Sequence, residues 1–264
     1  MVIGVTSAHA AGATSLAAGL VGLIAGAEKA LLVDLNPDLA QLAALLDLDD
    51  SANVYHLAHR ARLEPVSVAM LEEHVRWHEG LAAVLPGATD PSQAQLIRDH
   101  FVSGLLDAAA NAYSWIVIDL GRVRPDLHPA AVSGVLLWIV TPSPLGLAAF
   151  ERRFQQLRAA EVPWLQRVKV VVNQAADDSL LGVAEFVDRE YAVPVLGTVP
   201  YEPGFWRGLE LSHSLQPFSA EIRDEGRYIS WFGRPALRTR RAVEAIFARL
   251  EASLVEQGRV GVEA

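Results

Sequence analysis

A strand that runs through a turn of small residues into a helix restricts the available folds more than composition does, and this chain opens with one. Val2-Ile3-Gly4-Val5-Thr6 is an apolar run of strand length, and Ser7-Ala8-His9-Ala10-Ala11-Gly12-Ala13-Thr14-Ser15 is a turn of small residues. Leu16 to Ile24 then reads as a helix, and Ala30-Leu31-Leu32-Val33-Asp34 as a second strand ending in an acid. A turn of this kind makes a phosphate cradle, because backbone N–H groups without intrahelical acceptors point at the anion. The pattern G-x-x-x-x-G-K-[ST] can be laid on Ser7 to Thr14. Gly12 and Thr14 match it, but Ser7 stands where the first glycine belongs and Ala13 replaces the lysine. Taken alone, the motif is a weak signal.

The rest of the chain repeats the alternation of short apolar runs with longer helical stretches, the signature of an α/β fold with a doubly wound, mostly parallel sheet flanked by helices. Leu39 to Leu46 reads as a short helix, and Val54 to His78 as helix in two pieces broken near Pro65. Leu81 to Leu85 is a third strand closed by Pro86-Gly87, and Gln93 to Ala112 an amphipathic helix with Leu96, Phe101, Leu105 and Leu106 on one side. Strands follow at Trp115 to Asp119, Val135 to Val140, Val168 to Val172 (running into Asn173) and Pro194 to Pro200. Between and after them come helices at about Leu147 to Ala160, Ala184 to Tyr191 and 238–256, the last with Val243, Ile246, Phe247, Leu250 and Leu254 on one face. With no repeat, low-complexity linker or compositional break, residues 1–264 read as one domain.

A net charge of −9 argues against sequence-independent binding to nucleic acid, which needs a basic surface. The absence of cysteine removes thiolate metal sites and suits a reducing compartment. No charged segment precedes the first apolar run, so a secretory signal is not expected. Residues 129–150 carry no charge, but Pro142 and Pro144 interrupt them, so strand, loop and helix start are expected there rather than a membrane span.

Four stretches together resemble the MinD/ParA family of deviant phosphate-loop ATPases. They are Ser7 to Ser15, Leu31 to Pro37, Tyr113 to Asp119, and Val170 to Asn173 with Pro194 to Tyr201. The look is nearest to the TadZ/CpaE branch associated with pilus assembly, through Asp34-Leu35-Asn36-Pro37, Leu45 to Asp49, Asp119-Leu120-Gly121-Arg122-Val123 and the alanine in Gly12-Ala13-Thr14-Ser15. The resemblance implies nucleotide contacts from Gly12, Ala13, Thr14, Ser15, Asn173, Pro200 and Tyr201, with Asn173 on adenine. It implies Mg²⁺ held by Thr14 and, through water, Asp119, and an attacking water oriented by Asp34 if the protein is active. The family would carry lysines at positions 8 and 13, and this chain has Ala8 and Ala13. His9 and Ala10 replace glycines, and His9 is a candidate replacement cation.

The expectation is therefore a degenerate protein, with ATP and Mg²⁺ bound weakly or not at all and little or no hydrolysis. It would act as a localisation or assembly scaffold for a pilus or secretion system, as a homodimer in the cytoplasm, recruited to the pole or the inner membrane face. A slow ATPase with a nucleotide-dependent dimer cycle and a septum-site or partition regulator working by protein contacts stand as alternatives, with cell-division proteins as partners.

Other constellations point to ordinary structure. His74 and His78 would share a helix face at i and i+4, but the order is not H-E-x-x-H and no third ligand is evident, so a solvated face is expected, as for His56 and His59. Arg234, Arg238, Arg240 and Arg241 form a basic entry to the last helix, expected to pack on the sheet rather than bind lipid. Phe205, Trp206, Trp231 and Phe232 are expected in the core or at an interface, with Phe205 and Trp206 assigned to the homodimer contact.

Overall fold

The structure, a computed structural model, describes residues 1–78, 82–94, 97–127, 131, 134–175, 182–202 and 229–256; the side chains of residues 82, 229–237 and 256 lie outside the description. The strands are β1 (Val2–Ser7), β2 (Ala30–Asp34), β3 (Arg76–His78), β4 (Ala82–Leu85), β5 (Trp115–Arg122), β6 (Val135–Val140), β7 (Val168–Ala175) and β8 (Val195–Pro200). They form one eight-stranded sheet in the order β3-β4-β2-β5-β1-β6-β7-β8. Every pairing is parallel except that of β3 with β4. This is the doubly wound, mostly parallel architecture expected from the alternation of elements.

The helices are α1 (Ala13–Ile24), α2 (Leu42–Leu45), α3 (Val54–Arg60), α4 (Val68–His74), α5 (Pro91–Ala94), α6 (Asp99–Ala110), α7 (Pro144–Ala159), α8 (Val183–Tyr191) and α9 (Ile229–Glu256), with a 3₁₀ turn at Pro163–Arg167. Crossover connections of parallel strands put helices on both faces, so the strands are buried on both sides and read as continuous apolar runs. The two-residue strand period then sorts alternate side chains into two cores. On β6, Val135, Leu137 and Ile139 join the layer under α1 and α9. Leu136, Trp138 and Val140 join the opposite layer, with α3, α4, α6, α7 and α8. There the Trp138 ring packs edge-on against Phe150 at 5.0 Å, and Phe150 stacks on Phe154 at 5.4 Å.

On α9, Val243, Ile246, Leu250 and Leu254 are buried, and Phe247 meets Trp115 edge-on at 5.1 Å. The face expected to be apolar is thus packed. Of the basic residues at its entry, Arg240 pairs with Glu244 at 2.8 Å and Arg238 approaches the buried Glu202 at 4.0 Å. No described helix is long and apolar enough to cross a membrane. Residues 135–150 of the uncharged run form β6, a turn and the start of α7.

Several boundaries differ from the sequence expectation. Residues 76–78 are not helix. Val75 adopts an extended conformation after α4, and Arg76, Trp77 and His78 pair antiparallel with β4 as a short edge strand. His74 and His78 therefore share no helix face, and the His74 ring bonds Met70 O at 2.8 Å. The helix expected over 93–112 is two helices, because Arg98 is extended and precedes α6; Leu96 lies outside the described residues. α2 is only one turn, and α7 starts three residues early because Ser143 Oγ accepts from Gly146 N–H with Pro144 in the first turn. α9 begins at Ile229 rather than near 238. Phe205 and Trp206, and the side chains of Arg234, Trp231 and Phe232, lie outside the described residues.

Candidate functional site

β1 is the point from which the chain winds to either side of the sheet, and in open α/β sheets such a point leaves a crevice at the strands' carboxyl ends. The small-residue turn sits there. Gly12 precedes α1 in a left-handed conformation (φ 84°, ψ 29°), accessible to glycine without strain, and no side chain caps the helix. The first N–H groups of α1, on Ala13, Thr14 and Ser15, have no intrahelical acceptors. They border a cleft of about 570 Å³ lined by Ser7, His9–Ser15, Asn36, Asp38, Leu39, Gln41, Gly121, Arg122 and Gln174. Phosphate is the kind of group such a lining accepts.

Hydrogen bonds fix the loop. Ser7 Oγ donates to His9 O at 2.5 Å, and Ala11 N–H donates to the same oxygen at 2.7 Å. Asn173, buried at the end of β7, donates Nδ2–H to Ala11 O at 2.8 Å. Its amide thus ties the loop to the sheet. Asn173→Ala is expected to cost about 1–2 kcal/mol and a few degrees of melting temperature, read by thermal denaturation; an unchanged midpoint would show that the tether carries no stability. His9 Nε2 bonds Thr141 Oγ1 at 2.8 Å, while its buried Nδ1 has no partner among the described residues. Burial pushes the His9 pKa below its ordinary value, which disfavours the imidazolium. His9 is accordingly no replacement for a lysine at neutral pH.

Thr14 and Asp119 come together: Thr14 Oγ1 donates to Asp119 Oδ2 at 2.6 Å, and Gly121 N–H donates to Oδ1 at 3.0 Å. A hydroxyl and a carboxylate are hard oxygen donors of the type Mg²⁺ takes, and these two would hold it beside the cleft. Burial raises the Asp119 pKa, and the bonds from Thr14 and Gly121 oppose that rise.

Asp34 is placed differently. Both of its oxygens turn into its own loop, Oδ1 accepting from Asn36 N–H (3.0 Å) and Oδ2 from Gln41 (3.0 Å) and Leu42 (3.1 Å) N–H. It is fully buried and does not line the cleft. Burial, then the charge of Asp119 in register on the neighbouring strand, lift its pKa to about 7 against these bonds. Pro200 and Tyr201 also stand away from the cleft lining; Tyr201 is exposed, with its N–H on Ala175 O at 2.8 Å. Arg122, Gln174, Asn36 and Gln41 line the cleft without having been singled out as site residues. The Gly121-Arg122 step after the acid was the available signal for Arg122. Among the described residues no cluster of three or more His, Asp or Glu is arranged to hold a metal ion.

No protein-family model matches the chain, and no curated protein matches it significantly in sequence. Solved structures do match. A ParA family ATPase from Chlorobium tepidum TLS superposes with a TM-score of 0.73 at 17% identity, over 94% of this chain and 96% of that one. The cell division ATPase MinD of Pyrococcus furiosus gives 0.68 at 20% identity, over 95% and 98%. The septum site-determining protein MinD of Pyrococcus horikoshii OT3, solved with Mg-ADP, gives 0.67 at 18% identity, over 98% of each chain. At these identities the likeness is one of fold: the chain has the MinD/ParA phosphate-loop architecture over nearly its whole length.

Proposed function

We propose that this chain is a degenerate MinD/ParA-like protein of TadZ/CpaE type, a localisation or assembly scaffold for a pilus or secretion system that binds nucleotide weakly and does not turn it over. The observation that carries this reading is the engagement of both Asp34 oxygens by three backbone N–H groups, so that the acid closes its own loop instead of facing a phosphate. Ala8 and Ala13 add to it, because neither supplies positive charge to the loop. The uncapped start of α1 and the Thr14–Asp119 pair support retained binding, as does the Mg-ADP of the Pyrococcus horikoshii protein. In this reading residues 1–264 act as one unit. Gly12, Ala13, Thr14 and Ser15 hold the phosphates, Thr14 and Asp119 hold Mg²⁺, and the base lies toward Asn173, Pro200 and Tyr201.

The scaffold is cytoplasmic, recruited to the pole or inner membrane face, and dimerises without nucleotide, because the lysine that reaches across the family's nucleotide-bridged dimer is absent. Deleting the gene in its source cell is expected to remove surface pili or secretion while division stays normal. Sedimentation is expected to show a dimer both with and without ATP and Mg²⁺. Division defects with intact pili would favour the septum-site alternative, and a dimer seen only with nucleotide would favour the ATPase cycle.

A further inference from the structure

β1 and β5 pair one residue for one from Val2↔Ile116 to Val5↔Asp119, and then Ser7 pairs with Arg122. Two steps along β1 match three along β5, so β5 carries one extra residue, a β-bulge. With a side-chain period of two, that residue brings Arg122 beside Ser7 where Gly121 would otherwise stand. Other residues fit the bulge. Gly121 is left-handed (φ +62°), its carbonyl accepts from Thr6 Oγ1 at 3.0 Å, and a Cβ on it would come 2.3 Å from Asn36 Oδ1. The result is an exposed arginine that lines the loop cleft and makes no ion pair with any described residue. Among the described lining residues it is the one permanent cation, and Asp38 is the one carboxylate.

We propose that Arg122 is the phosphate-binding cation of this cleft, standing in for the lysines missing at positions 8 and 13; this rests on the nucleotide reading given above. A guanidinium presents a planar fork of donors that matches two phosphate oxygens, and it approaches from β5 while the α1 N–H groups approach from the loop. The ligand chemistry is phosphate, from a nucleotide or from a free anion.

Isothermal titration of the full chain with Mg-ATP, and separately with inorganic phosphate, tests this. Arg122→Ala is expected to weaken Mg-ATP binding about 10- to 100-fold, and Arg122→Lys to lose less. Arg189→Ala, which removes an exposed arginine from α8, is expected to change nothing. Ala13→Lys is expected to restore more affinity in the Arg122→Ala background than it adds to the wild type, because both cations would serve the same phosphate. Wild-type protein that binds neither ligand overturns both this assignment and the nucleotide reading. Binding of Mg-ATP that Arg122→Ala leaves intact overturns the assignment alone. Phosphate bound as tightly as Mg-ATP, and lost in Arg122→Ala, keeps the assignment and overturns the nucleotide reading.

Discussion

Purified protein is expected to release no phosphate from Mg-ATP above the level of a Thr14→Ala control. Phosphoryl transfer has little covalent chemistry for a protein to assist, so the rate depends on positioning and on charge that stabilises the transferring group. A single positioned donor or cation is typically worth two to five orders of magnitude in rate, and this loop has alanine at both lysine positions. Asp34, the residue expected to orient water, is buried with both oxygens on backbone N–H groups. Burial, and then the charge of Asp119, raise its pKa, which disfavours the carboxylate form that orienting a water needs. Arg122 does not reverse this expectation, because a contact made equally to bound nucleotide and transition state tightens binding without raising turnover. Magnesium-dependent phosphate release that disappears in Asp34→Ala would overturn the reading of a silent site.

The β1–α1–β2 unit was legible because its signals are local. Apolar runs of strand length, a small-residue turn and a helix follow one another within 34 residues. What Asp34 does was not legible, because two of its partners are the N–H groups of Gln41 and Leu42, seven and eight residues further on. Their approach depends on how the loop after β2 folds back. Room for the carboxylate comes from Gly87, where a Cβ would lie 2.7 Å from Asp34 Cγ. The role of Arg122 was only half legible: Gly121 inside a strand run marks a place where a bulge can form, but the pairing with β1 is what shows the extra residue that sets Arg122, rather than Gly121, beside Ser7. The early start of α7 was readable in Ser143-Pro144, a cap followed by a first-turn proline, whereas the break before α6 rests on the backbone of Arg98, which has no such marker.

The protein is expected to be more stable near pH 5 than near pH 8, by a margin set largely by Asp34 and Asp119. An acid whose folded pKa lies above its unfolded value keeps its proton longer in the native state. Its contribution to stability is full below the unfolded value and is lost as pH rises through the folded one. For Asp34 those limits are 3.8 and about 7. A gap of that size corresponds to roughly 4 kcal/mol, at about 1.4 kcal/mol per pKa unit. Between pH 5 and pH 8, a window that opens above the unfolded value, about 2.5 kcal/mol of this is lost, a fall in melting temperature of roughly 5–10 °C for a chain of this size. Asp119 shifts in the same direction, and burial is the main cause for both. His9 works the other way: its lowered pKa makes the native state gain stability as pH rises through the ordinary histidine range, but it is less buried than the acids. Exposed Asp49 and Asp90, whose pKa values are held down by Ser51 and Ser92, lose their contributions only in stronger acid. Melting curves at pH 5, 6, 7 and 8 read the effect, and Asp34→Asn isolates it, since an amide at that position cannot titrate. The wild-type slope should flatten in that variant whatever its midpoint at pH 5. A slope of equal size in both proteins would place the pH dependence elsewhere and remove Asp34 as a buried acid held against its own charge.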